Sequence, residues 1–128
     1  MKRLAILALC LTSISCAHNS PNTAPTYAKL GFVQLYLFNQ SGKTADLKVA
    51  LDDSVLYYAQ VRSIVIPGEI SGGRLVQRTP GLYHLMLNDF THAQQIARDV
   101  PVSDSTVYVV VRTRETGSEV NVSTARPF

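Results

Sequence analysis

From Gly31 to Ser123 the chain repeatedly alternates apolar and polar residues with a period of two. Val33, Leu35 and Leu37 alternate with Gln34 and Tyr36. Leu47, Val49 and Leu51 alternate with Asp46, Lys48, Ala50 and Asp52. The same spacing recurs at Tyr83, Leu85 and Leu87, at Val107, Val109 and Val111, and at Val120 and Val122. A strand sends successive side chains to opposite faces, so this pattern describes strands with one buried face. Val55 to Val61 is a further strand candidate, and Leu75-Val76 a shorter, weaker one. Pro67-Gly68, Gly72-Gly73, Pro80-Gly81 and Glu115-Thr116-Gly117-Ser118 read as breaks or turns between them. Short strands with turns at this spacing predict an all-β fold, an antiparallel two-sheet sandwich of about seven to eight strands. Val49 and Leu85 are the core positions this pattern singles out. Thr91 to Arg98 fits either one or two helical turns capped by Thr91 or a strand; a strand over 95–102 is the expectation. A membrane barrel needs strands of about 9–11 residues. These segments are mostly shorter, and Arg126 and Pro127 interrupt a terminal one. Phe128 is therefore expected as a frayed or packed end.

The start of the chain has a different character. Lys2 and Arg3 precede the mostly apolar stretch LAILALCLTSI at residues 4–14, and small Ser15 leads into Cys16. A basic start, a short apolar run and a small-residue cleavage site describe a secretory signal. The run falls short of the roughly 20 residues of a membrane span. Ser13-Ile14-Ser15-Cys16 resembles the lipobox of bacterial lipoproteins, with Ser13 where that family usually has leucine. The resemblance implies removal of residues 1–15, a diacylglycerol on the Cys16 thiol and attachment to a membrane. Secretory cleavage after Ala17 is the competing reading. Ala17, where an aspartate would signal retention, resembles outer-membrane lipoproteins and implies the periplasmic face of that membrane. Residues 16–29 carry Pro21, Pro25 and mostly small or polar side chains, so they read as a lipidated cysteine and flexible tether before a domain spanning 30–128.

Cleavage before Cys16 also simplifies composition. Cys10 leaves with the signal, and a lipidated Cys16 leaves no thiol for a disulfide or zinc site. Lys2 and Arg3 leave too, so ten of the twelve Lys and Arg residues face nine Asp and Glu. That balance gives no clustered basic footprint for nucleic acid.

Pro80-Gly81 feeds the alternating strand Leu82-Tyr83-His84-Leu85-Met86-Leu87; a segment ending Val100-Pro101-Val102 and a valine-rich strand follow. This order resembles PEGA and transthyretin-like sandwiches, including carboxypeptidase regulatory-like domains, over roughly residues 31–125. The resemblance implies a module that binds or packs against other proteins and carries no shared catalytic residues.

Chemistry-bearing residues are sparse. His84 and Met86 share a strand face and are of types that suit copper, with His18 and His92 as conceivable additions, but two ligands do not make a site. Asp89 and His92 flank an expected turn, and no serine lies in a GxSxG elbow. Asp52-Asp53 reads as a hairpin end. Arg112 and Arg114 share a face, which a solvated strand explains. Phe32, Tyr36 and Phe38 lie on one strand face opposite Val33, Leu35 and Leu37, and Tyr57-Tyr58 follow in a later strand. If that face is outward, Phe32, Tyr36 and Phe38 form a candidate partner contact; if the strand is covered on both sides, they are core. The expectation is a non-catalytic, lipid-anchored cell-envelope module that acts as a protein-interaction or structural component, with an envelope protein partner and no cofactor. The alternative is a periplasmic binding lipoprotein for a small ligand or metal ion.

Overall fold

The computed structural model describes residues 29–128. Cys16, His18 and most of the tether lie outside the described residues. Eight strands form: β1 (Gly31–Asn39), β2 (Ala45–Leu51), β3 (Ser54–Val61), β4 (Gly72–Arg78), β5 (Gly81–Asp89), β6 (Gln94–Val102), β7 (Thr106–Arg114) and β8 (Gly117–Ser123). They build two four-stranded sheets, ordered β4-β1-β7-β8 and β3-β2-β5-β6. This is the expected all-β sandwich.

The inward sets are those that the alternation separates. Val33, Leu35 and Leu37 meet Leu47, Val49 and Leu51 across the interior, with Leu85, Leu87, Val107, Val109, Val111 and Val120 around them. Both Val49 and Leu85 are fully buried. Burial at about 25 cal/mol per Å² of apolar surface makes this shared interior the main favourable term.

Five of the six strand pairings are antiparallel, whereas β1 and β7 run parallel, from Phe32 beside Thr106 to Asn39 beside Thr113. The chain crosses between the sheets before β7 returns beside β1, and alternation carries no information about the direction of such a neighbour. Gly72-Gly73 is a second difference. Instead of breaking the chain, these glycines open β4, opposite Leu37 and Tyr36. A Cβ on Gly73 would stand 2.7 Å from the Leu35 carbonyl oxygen, so glycine permits close approach of the two backbones.

In β3 the register shifts beside Val49 and Ala50 of β2, and Leu56 is the extra residue. This bulge turns Leu56 into the core and leaves Tyr58 outward, paired beside Lys48. Asp52-Asp53 forms the tight β2–β3 connection, as expected, and Asp52 adopts a left-handed φ of 49°. The Asp52 carboxylate accepts the His84 N–H at 2.8 Å, while its own N–H donates to the His84 carbonyl at 2.7 Å. Residues 91–98 hold a turn and the start of β6, not a helix. Thr91 Oγ1 accepts the Asp46 N–H at 2.8 Å rather than capping a helix.

Strand directions give the sandwich two unlike ends. Connections 40–44, 62–71, 90–93 and 115–116 share one end, here the loop end. The short connections 52–53, 79–80 and 103–105 share the other, where the chain enters β1.

Candidate functional site

The outer face of the β4-β1-β7-β8 sheet gathers the aromatic residues. Phe32, Tyr36 and Phe38 do share the outward face of β1, but they differ in access. Phe32 is 36% exposed, Tyr36 is half-buried, and Phe38 is only 7% exposed. Phe38 is therefore no open contact residue: the Phe128 ring packs edge-on against it at 6.1 Å, and the Arg112 guanidinium lies 5.5 Å from its ring centre. The expectation of three available aromatics is corrected to two, because the segment after β8 folds back over this face.

From β7, Tyr108, Val110 and Arg112 stand beside Gln34, Tyr36 and Phe38. The Tyr36 and Tyr108 rings are nearly parallel, with centroids 6.5 Å apart, and Phe128 tilts onto Tyr36 at 4.9 Å. Exposed Leu75 of β4 lies opposite Gln34. An open groove of about 440 Å³ follows β7, lined by Tyr108, Val110, Arg112, Asn121, Arg126 and Pro127 among others. Alternation alone turns Tyr108 outward. Its place beside β1 required the parallel pairing, which left no local signal.

The loop end holds a second constellation, hydrogen-bonded and mostly buried. Asp89, 1% exposed, ends β5 with its side chain inward. Its Oδ2 accepts from His92 Nδ1 at 2.7 Å and from Ser118 Oγ at 2.6 Å, and its Oδ1 accepts the His92 N–H at 3.1 Å. His92 Nε2 reaches the Glu115 carbonyl at 3.0 Å. With the carboxylate ionised, both ring nitrogens face pure acceptors, so this geometry selects the doubly protonated imidazolium. The His92 pKa is accordingly raised, foremost by its hydrogen bond to Asp89; burial opposes the shift, and the Glu115 carbonyl and Asp89 charge add to it. Ser118 Oγ also bonds Thr113 Oγ1 at 2.7 Å, and Gln94 brackets the Ser118 backbone through its N–H and carbonyl.

Sequence reading placed Asp89 and His92 at a turn but did not find Ser118 beside them. The three residue types are those of a hydrolytic triad, yet their connections differ from one. Ser118 Oγ bonds the carboxylate rather than the imidazole, and His92 Nε2 is committed to a carbonyl. This arrangement has no nucleophile–base hydrogen bond. It is a clasp joining the β5–β6 turn to the β7–β8 hairpin.

Asn39 forms a neighbouring buried node. Its amide donates to the Lys43 and Val61 carbonyls at 2.7 and 2.8 Å, while its side-chain oxygen accepts from Ser41. These bonds fix the base of the β3–β4 loop. At the loop's tip the Glu69 N–H donates to the Ile66 carbonyl at 3.1 Å, across Pro67 and Gly68, whose φ is 85°. That is a type II turn, with proline and glycine where its dihedrals favour them. It displays Val65, 90% exposed, and Ile66.

His84 and Met86 do not form a metal centre. His84 Nδ1 pairs with the exposed Asp99 carboxylate at 2.9 Å, and Met86 sits between Ala50 and Ala97 in the sheet. His92 belongs to the opposite end of the same sheet. Among the described residues, no three His, Cys, Asp or Glu side chains gather in a way that could hold a metal ion. Arg114 pairs with Glu119 at 3.2 Å.

No protein-family model matches the chain. No curated protein matches it either. Among solved structures, a proposed cell adhesion protein from Bacteroides ovatus aligns with 9% identity and a TM-score of 0.41. The alignment covers 74% of this chain and 44% of that one, so the likeness spans less than half of the adhesion protein.

Proposed function

We propose that this protein is a lipid-anchored contact module of the bacterial cell envelope. In this reading residues 1–15 are removed and Cys16 carries diacylglycerol. Residues 17–29 then tether a domain spanning 30–128 to the periplasmic face of the outer membrane. The domain acts by binding an envelope protein, without a cofactor, rather than by turning over a substrate.

The observation that carries the reading is the outer face of the β4-β1-β7-β8 sheet. Its inner face already packs the core, yet Phe32, Tyr36, Tyr108 and Leu75 project outward. Aromatic side chains on a rigid strand face offer large contact area at low entropy cost, as partner-binding surfaces do. The Asp89-His92-Ser118 connections support a structural role for the residues that would otherwise suggest hydrolysis. A tether adds to this by raising the local concentration of domain and partner.

Two substitutions test the parts separately. Cys16→Ser should release the protein from the membrane fraction or leave it unprocessed; unchanged processing and membrane retention would sink the anchor. Tyr36→Ala in the anchored protein should reduce in-cell cross-linking to an envelope protein at least severalfold while the melting temperature stays within a few degrees. Unchanged cross-linking would move the interface elsewhere.

A further inference from the structure

Residues 124–128 leave β8 and return across the outer sheet face, ending with Phe128 on Tyr36 and Phe38. The two ring contacts are tilted and edge-on, geometries that aromatic quadrupoles favour over a face-to-face sandwich. Val110, which points outward from the middle of β7, is nonetheless only 4% exposed. The groove beside it is lined by Ala125, Arg126 and Pro127. The returning segment thus bends at Thr124-Ala125, forms one wall of that groove and seats its aromatic ring on Tyr36 and Phe38.

The segment is lightly held. Phe128 keeps 62% of its surface exposed while it covers Phe38. Ala125 N–H donates to Ser123 Oγ at 3.0 Å, close to where the segment leaves β8. Among the described residues, no backbone–backbone hydrogen bond ties residues 124–128 to the strands beneath. A partner segment could displace this one while breaking few directional contacts.

We propose that the Tyr36-Tyr108-Phe38 slot is a docking site for an extended peptide segment of a protein partner that carries a Pro-aromatic pair. The chain's own Arg126-Pro127-Phe128 is the resident that such a segment replaces. This rests on the contact-module reading and names its partner chemistry. The groove of about 440 Å³ along Tyr108, Val110, Arg112 and Asn121 gives an incoming segment room beyond the resident's own path. Arg112, on that groove, offers guanidinium donors to its backbone carbonyls. A resident competitor lowers apparent affinity by the fraction of time that the slot stands open.

The test uses the full-length protein and an acetylated, amidated Thr-Ala-Arg-Pro-Phe peptide. Binding is read from the tyrosine ring resonances. Phe128→Ala removes the resident ring and should bind the peptide at least tenfold more tightly than the unaltered protein. Adding Tyr36→Ala, or changing the peptide's phenylalanine to alanine, should each reverse that gain by at least tenfold. Phe128→Leu serves the same comparison if the alanine variant does not fold. The inference is overturned if a folded Phe128 variant shows no saturable shifts, or if the unaltered protein binds equally well. It is also overturned if the peptide fails while Tyr36→Ala still lowers cross-linking to the envelope partner. In that last case the contact-module reading survives and the peptide chemistry does not.

Discussion

Asp89 is a buried carboxylate whose role depends on the proton state of one neighbour. Its contact with His92 lies at the surface of the clasp, with the imidazole side chain still 18% exposed. The His92 pKa in the folded protein is raised above its ordinary value. The unfolded chain therefore releases this proton first as pH rises. The bond contributes fully below the unfolded value of about 6.5, and its contribution is lost as pH climbs through the folded value. Melting temperature measured upward from about pH 6 should consequently fall more for the unaltered protein than for His92→Gln. Equal slopes would show that the clasp does not depend on the imidazolium. His84, present in both proteins, cancels in that comparison. A separate residue-scale test concerns the interior. Leu85 is fully buried in the middle of the sandwich, and Leu85→Ala should cost about 2–4 kcal/mol in denaturant unfolding, with Val49→Ala costing less. A loss below about 1 kcal/mol would mean that the site collapses around the cavity.

At the scale of the strand, close backbone approach matters as much as side-chain pattern. Gly73→Ala would place its Cβ 2.7 Å from the Leu35 carbonyl, a backbone atom that cannot swing aside. It should destabilise by about 1–3 kcal/mol as β4 separates from β1. Gly81→Ala is the control, since the nearest atom to its Cβ stands 3.8 Å away on a side chain. Equal effects of the two changes would argue against the close approach. Gly73 also shows what a sequence conceals. A pair of glycines has the same local appearance in a loop and in a strand that another strand must approach closely. By contrast, β2 was legible throughout, because Leu47, Val49 and Leu51 face the core and Lys48 and Ala50 do not. In β3 the bulge at Leu56 disrupts the period, so only Leu56 and Val61 are buried among eight residues. That Phe32, Tyr36 and Phe38 share the face opposite Val33, Leu35 and Leu37 was likewise readable, but whether that face is open, and the cover over Phe38, were not. That cover comes from Phe128, ninety positions further along, and no local spacing encodes it.

Across the whole molecule the two ends differ in construction. The end where β1 begins has short connections of two or three residues. At the loop end, where all but the 115–116 connection are longer, Asn39 and the Asp89 clasp put buried hydrogen bonds beneath the connections. Asn39, bonded to Val61, Ser63 and Ile64, holds the base of the loop that carries the exposed Val65-Ile66 turn. The turn itself depends on Gly68 holding a φ of 85°, so Gly68→Val should increase local hydrogen exchange in residues 64–70 with little change in global melting. Loss of the global fold would show that the loop is part of the cooperative core. Sequence identified the Pro67-Gly68 break and the Asp89-His92 turn, but their gathering at one end follows from strand order.

The parallel pairing of β1 with β7 also sets a timetable. Among the described residues, 31–39 is the first strand, and its central neighbour is 106–114. A chain that emerges from its N-terminus can join β1 to β4 early, but the middle of that sheet must wait until almost the whole sequence is out. Long-range closure of this kind slows folding towards the millisecond-to-second range. On the export route that the anchored-module proposal implies, late closure would keep the polypeptide threadable until its last strands arrive.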